Sequence, residues 1–208
     1  MSQTDLKKRV IDLTYKLGLT HLGSCLNAVS IIDNIYKVKK ENEPFILAQG
    51  HAALALYVVL EKYYFKDAEV LFKKYGTHPY RNVDDQIWCS TGSLGQGLGI
   101  GVGMALADRK RNVYVVTSDG DMAEGSNWEA LRVATDYQLE NLRITCIANG
   151  FSGYKQVDSD LLDLRMQYFY PSLMLKVNTF AYPDWLQGVA AHYEKLTKER
   201  YEEILKCL

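Results

Sequence analysis

The sequence predicts an α/β fold, a single domain over residues 1–208 in which helices flank a mostly parallel β-sheet. Two short apolar runs of β-type residues, Val113–Thr117 and Ile144–Ala148, enclose one amphipathic helix at about Ser126–Tyr137. A strand–helix–strand unit of that length is a crossover that lays its strands parallel. Each run stops at an oxygen-bearing side chain followed by glycine, Asp119-Gly120 and Asn149-Gly150. The remaining observation is size: 208 residues, 48% of them hydrophobic, bury a full core, and no repeat, low-complexity tract or linker divides them.

From the N-terminus, Leu6, Val10, Leu13 and Leu17 make a helical stripe over Leu6–Leu17. The segment G-L-T-H-L-G-S-C-L interrupts it, and Ser24 or Asn27 is placed as the cap of a second helix through Ile31, Ile32 and Ile35. His21 lies in the interruption, where a histidine beside glycine is a surface residue or a capping partner. After Pro44, F-I-L-A is a short strand that runs into Q-G-H-A-A-L-A-L-Y-V-V-L. His51 therefore stands where a strand gives way to a helix, at the ligand edge of an α/β sheet. A charged helix, Asp67–Tyr75, is followed by the loop G-T-H-P-Y-R-N, with His78 extended and exposed before proline.

Residues 91–107, T-G-S-L-G-Q-G-L-G-I-G-V-G-M-A-L-A, contain neither G-x-G-x-x-G nor the Gly-Lys-Ser/Thr of a phosphate loop. Each glycine costs a helix about 1 kcal/mol. The tract is read as a helix packed closely beneath another backbone or a ligand, with Gly92–Gly95 contacting a cofactor. Beyond the central unit come the loop F-S-G-Y-K-Q-V-D, a weak helix at Leu161–Phe169 and a strand at Leu173–Val177. A last helix opens at Pro183-Asp184 and runs Trp185–Leu205, taking in His192.

Parallel strands bring Asp119 and Asn149 out at one sheet edge, where open α/β sheets bind ligands. A carboxylate, an amide oxygen and nearby main-chain carbonyls suit a small hard cation such as Mg2+, with Ca2+ or Mn2+ as substitutes. Such an ion keeps a phosphate among its ligands, so the spacing suggests a metal-bridged diphosphate site. Singly, Asp-Gly and Asn-Gly are ordinary turn pairs; the case rests on their standing at equivalent strand ends.

A formal net charge of -1 gives no electrostatic case for nucleic acid or an anionic membrane. No apolar run is long enough to span a bilayer, and the N-terminus M-S-Q-T-D-L-K-K-R lacks the apolar stretch of a secretory signal. Cys25, Cys89, Cys146 and Cys207 are scattered, which indicates neither a zinc site nor a disulfide framework and fits a reduced, cytoplasmic setting. Fifteen tyrosines against six phenylalanines leave room for some at a subunit interface, core and boundary packing being the commoner use.

Gly50-His51-Ala52, T-G-S-L-G-Q-G-L at 91–98, D-G-x-x-x-E-G-x-x-W-E-A at 119–130 and Asn149-Gly150 together closely resemble the diphosphate-binding domain of transketolases, over roughly Leu6–Asn178. The resemblance implies the thiamin diphosphate-binding fold and names the diphosphate. It implies Asp119 and Asn149 as side-chain metal ligands, with the Phe151 carbonyl as a third. Gly120 is implied to offer its N–H to the diphosphate, with His51 nearby, and Ser93 and Leu94 match the turn whose backbone meets the aminopyrimidine ring. Gly95, Asp121 and Glu124 are grouped with the cofactor-binding residues, although Asp121 stands where relatives vary. His21 and His78 resemble histidines of the substrate channel, and His21, His51, His78 and Glu124 form the expected catalytic set. Glu124 and Glu129 resemble an acidic pair at a subunit interface; the alternative is a solvated first helical turn, where carboxylates favour the helix dipole. The diphosphate-contacting histidine of a later loop in relatives finds no match, and His192 is given no role.

What the resemblance implies is an N-terminal subunit of a two-chain, transketolase-like transferase that moves a two-carbon ketol unit from a ketose to an aldose-type acceptor. A separate chain supplies the pyrimidine-binding and C-terminal domains, and self-association gives a heterotetramer acting on sugars or sugar phosphates. Carbon–carbon bond formation on another acceptor, such as a nucleotide-linked sugar, is the alternative within the same chemistry. A non-catalytic scaffold or regulatory subunit is the alternative from another class. A nicotinamide oxidoreductase rests on the glycine tract alone and has the wrong fingerprint.

Overall fold

Four strands pair edge to edge in chain order, all parallel: β1 (Phe45–Leu47), β2 (Val113–Ser118), β3 (Leu142–Ala148) and β4 (Met174–Val177). The computed structural model describes residues 1–172, 174–177 and 182–208, so Leu173 and Asn178, at the ends of the expected last strand and of the family resemblance, lie outside the described residues. The chain falls into two units interleaved in sequence. One is helical, Met1–Lys37, His51–Thr77 and Thr179–Leu208; the other, Val38–Gly50 and His78–Asn178, carries the sheet.

In the helical unit, α1 (Gln3–Leu17) starts at a capping box. Asp5 N–H donates to Ser2 Oγ at 3.1 Å while Ser2 N–H donates to Asp5 Oδ2 at 2.7 Å. The helix buries Leu6, Val10, Ile11 and Leu13 and ends at Gly18 with φ 63. The second helix, α2, runs Leu22–Val38 and starts earlier than expected. His21, at φ 63, supplies the carbonyl that Cys25 N–H bonds at 3.1 Å, so Ser24 and Asn27 lie inside the first turns rather than at the cap. Helix α3 (Ala53–Tyr64) is apolar and buried from Ala53 to Leu60, and α4 (Ala68–Tyr75) is capped by Asp67.

The expected helix over Trp185–Leu205 does not form as one piece. A 3₁₀ turn at Asp184–Leu186 and another at Val189–Tyr193 precede α8, which is only Lys198–Leu205. Gly188, at φ 80, stands immediately before the second turn, and Thr197 caps α8 by accepting Arg200 N–H.

In the sheet unit, α5 (Gly97–Ala107), α6 (Gly125–Asp136) and α7 (Ser159–Phe169) join the strands. Ile46, Leu98, Val102, Val115, Leu131 and Ile144 are buried in one core. The tight packing expected of the glycine tract holds for half of it. A Cβ on Gly97 would lie 2.7 Å from Ala48 Cα, and one on Gly101 would lie 2.5 Å from Val115 Cγ2, whereas Gly99 and Gly103 face open space. Among the described residues no helix is long and apolar enough to cross a membrane.

Candidate functional site at the strand tips

Parallel pairing of β2 with β3 sets Ser118 opposite Ile147, so the next turns of the two strands meet. Asp119 N–H donates to Ile147 O at 3.1 Å, and its side chain reaches across to the other tip. Its Oδ2 accepts Asn149 N–H at 2.9 Å, Gly150 N–H at 3.0 Å and Phe151 N–H at 3.2 Å, and its Oδ1 accepts Gly120 N–H at 3.0 Å. Asn149 Oδ1 accepts the same Phe151 N–H at 2.9 Å. The carboxylate and the amide oxygen are thus brought together on a shared donor.

The Gly120 N–H, expected to face a diphosphate, is here engaged by Asp119. Burial raises the Asp119 pKa, and the N–H groups of Asn149, Gly120, Gly150 and Phe151 act against that rise. The carboxylate is 3% exposed and, among the described residues, has no cationic side chain in an ion pair with it.

Those residues fit a hard cation. Asp119 Oδ1 and Asn149 Oδ1 each spend one lone pair on an N–H, and the Phe151 carbonyl accepts no hydrogen bond among the described residues. A carboxylate buried among amide dipoles can take a hard cation on its remaining lone pairs. The set contains one carboxylate, and among the described residues no three His, Cys, Asp or Glu side chains cluster for a metal. Asp119 also borders an open cleft of about 570 Å³, with Met122, Trp128 and Leu162 on its walls and two cationic side chains, Lys155 and Arg165, beside them. Neither cation stands out in the sequence, because each belongs to an ordinary loop or helix.

Asp121 turns inward. It is fully buried, with Oδ1 accepting Gly95 N–H at 3.2 Å and Oδ2 accepting Ser118 N–H and Oγ–H at 3.2 Å each. Burial pushes its carboxyl up to about 6 against those hydrogen bonds. Grouping it with the cofactor-binding residues is therefore corrected: its oxygens serve protein donors. Ser93 is exposed and Leu94 half-buried in the turn that Gly95 closes at φ 83. Glu124, at the start of α6, is exposed, and Glu129 pairs with Arg132 one turn along the same helix at 2.5 Å. His78 is exposed and packs on Gly92, where a Cβ would lie 3.0 Å from the His78 side chain.

The helical unit holds a separate cluster. His21 is half-buried in the left-handed region, which few non-glycine residues adopt. Its Nδ1 and Thr20 Oγ1 are 2.8 Å apart, its N–H donates to His192 O at 2.9 Å, and its ring lies 5.1 Å from that of His51. His192 and Tyr193 approach the same ring edge-on, at 6.3 and 5.7 Å. His192 is thus a further site candidate that the sequence reading passes over by placing it within a continuous helix. Gly188 before it and Thr197 after it, the latter with Arg200 N–H as partner, are the signals of a break.

A four-stranded parallel sheet with polar side chains meeting at adjacent strand tips over an open cleft defines an α/β protein with a ligand site at the carboxyl edge of its sheet. The model of the family described as transketolase, thiamine diphosphate binding domain, matches residues 9–160, and the chain belongs to that family. It is 34% identical to an apulose-4-phosphate transketolase subunit of Actinobacillus succinogenes, over 60% of this chain and 52% of that protein. It is 36% identical to human transketolase, over 64% of this chain and 24% of that protein. In fold it resembles a transketolase from Leishmania mexicana, with a TM-score of 0.65, 21% identity and coverage of 80% of this chain and 31% of that one. The matched region thus spans about half of the first of these relatives and about a quarter of the second.

Proposed function

We propose that the chain is the diphosphate-binding subunit of a two-chain, thiamin diphosphate-dependent transketolase-like enzyme, transferring a two-carbon ketol unit from a ketose to an aldose-type acceptor. The observation that carries this reading is the buried Asp119 carboxylate, held by the Asn149–Phe151 amides and, among the described residues, with no cationic side chain paired to it. Asp119, Asn149 Oδ1 and the Phe151 carbonyl would hold Mg2+, which would supply positive charge for the diphosphate. When bound, thiamin diphosphate supplies the electron sink for breaking and forming the carbon–carbon bond.

Residues of the sheet unit do the positioning around it. The 92–95 turn carries the ring end, and Leu94 lies against Gly120, 3.8 Å from where a Cβ would stand. In the helical unit, His21, His51 and His192 offer imidazoles that orient sugar hydroxyls and hold or pass a proton. His78 does the same from its loop. Glu124 and the rest of the site await a partner chain with the pyrimidine-binding domain, and two copies of each chain form a heterotetramer. The Actinobacillus succinogenes relative is named as one subunit of its transketolase, which supports the two-chain arrangement. One transketolase-like domain over 1–208 in a reducing cytoplasm belongs to the same reading.

The test is to prepare the chain alone and with the product of the neighbouring reading frame. Thiamin diphosphate binding is measured with and without Mg2+, and ketol transfer with each preparation. Metal-dependent binding with activity only in the pair is expected. Activity of the chain alone refutes the two-chain arrangement, metal-independent binding refutes the site, and binding without turnover in the pair favours the scaffold.

A further inference from the structure

Gly95 is gripped on both sides of its α-carbon. Its N–H donates to Asp121 Oδ1 at 3.2 Å and its carbonyl accepts Ser126 Oγ–H at 2.8 Å. Both side chains come from the single segment that follows β2. Asp121 is itself anchored: its N–H donates to Ser118 Oγ at 3.1 Å, and its carbonyl accepts Asn127 Nδ2 at 2.8 Å. The same carboxylate that holds Gly95 also holds Ser118, the residue before Asp119. There is no slack in the fit, because a Cβ on Gly95 would lie 2.5 Å from Ser126 Oγ and 2.6 Å from Glu124 Cβ. The 92–95 turn therefore cannot slide relative to the Asp119–Gly120 corner without giving up hydrogen bonds at both ends of one residue.

We infer that Asp121 and Ser126 are positioning residues: by clamping Gly95 they fix the 92–95 turn against the Asp119–Gly120 corner, and so set how tightly this chain holds the ring end of thiamin diphosphate without touching it. The inference rests on the function proposed above. Ser126 is the cleaner handle, since among the described residues its hydroxyl hydrogen-bonds only to Gly95, whereas Asp121 also steadies the diphosphate end through Ser118.

The experiment uses the full chain and its Ser126→Ala, Ser126→Thr and Asp121→Asn variants, each assembled with the partner chain encoded by the neighbouring reading frame. Calorimetry compares Mg2+–thiamin diphosphate with Mg2+–pyrophosphate, which probes the diphosphate end alone. Amide exchange of residues 91–96 is followed without either compound. Loss of one hydrogen bond in Ser126→Ala is expected to weaken thiamin diphosphate binding about three- to tenfold. Pyrophosphate binding should stay unchanged, exchange in the turn should quicken, and Ser126→Thr should restore both. Equal losses for the two compounds, or unchanged exchange in Ser126→Ala, overturn the inference. If Asp121→Asn fails to fold, Ser126→Ala carries the test. An assembled wild-type pair that binds neither compound overturns the functional reading and this inference with it; a wild-type pair that binds while the Ser126→Ala pair matches it overturns this inference alone.

Discussion

Replacing the glycines of α5 by alanine one at a time separates two effects that the tract superimposes. Within a helix, alanine gains about 1 kcal/mol over glycine. At Gly99 and Gly103 nothing lies within 4 Å of the added methyl, so that gain stands whole. At Gly97 the methyl meets Ala48 Cα and Cβ at 2.7 Å, main chain and stub of the β1 end that have no rotamer to change. At Gly101 it meets Val115 Cγ2 at 2.5 Å, on a buried valine whose branched side chain has little freedom. Overpacking of this kind costs about 1–3 kcal/mol, which cancels or outweighs the helical gain. The four substitutions should therefore split into two pairs separated by about 1–3 kcal/mol. Urea unfolding followed by circular dichroism measures this, with the m-values checked for constancy across the set. In thermal unfolding the open pair should melt about 2–4 °C above wild type. Four substitutions shifting stability alike would refute the placement of α5 on the sheet.

Asp119→Asn replaces an acceptor of four main-chain N–H groups by an amide with one acceptor oxygen, so stability should fall by about 1–3 kcal/mol and Mg2+-dependent thiamin diphosphate binding should be lost in calorimetry. Asp33 is wholly buried and takes Lys62 at 2.6 Å, Lys37 at 3.0 Å and Tyr63 at 3.0 Å. Burial alone would raise its pKa, but those hydrogen bonds prevail and lower it. A lowered folded-state pKa makes the contribution complete above the unfolded value and erodes it as pH falls through the folded one. Wild type should therefore lose stability below about pH 4. Asp33→Asn should be about 3 kcal/mol less stable at neutral pH and lack that acid limb in urea titrations. His21→Gly relieves a left-handed backbone and should hold or raise the melting temperature, by up to about 1 kcal/mol equivalent, while ketol transfer by the assembled enzyme falls; a large loss of stability would contradict the strain assigned to His21.

The parts of this molecule that are legible in the sequence are those whose physics is local. Asp119 and Asn149 declare themselves because each follows an apolar β run and precedes glycine, and parallel pairing then does the rest. The N-cap of α4 is readable for the same reason, as Asp67 meets Val70 three residues on. A continuous helix over Trp185–Leu205 is the wrong expectation because charged and apolar residues continue at helical spacing past Gly188, whose positive φ outweighs the propensity of its neighbours and frees His192 to reach His21. The two halves of the glycine tract look identical in sequence, since only β1 and β2 beneath Gly97 and Gly101 distinguish them. Asp121 is hardest, because its principal partner is Gly95, 26 residues earlier, and Ser126 reaches the same glycine over 31. Residues that would meet the cofactor stand at strand ends, where spacing exposes them. Residues that hold those ends in register depend on contacts between distant segments, which no local pattern encodes, and this is why the clamp on Gly95 emerges only from the folded chain.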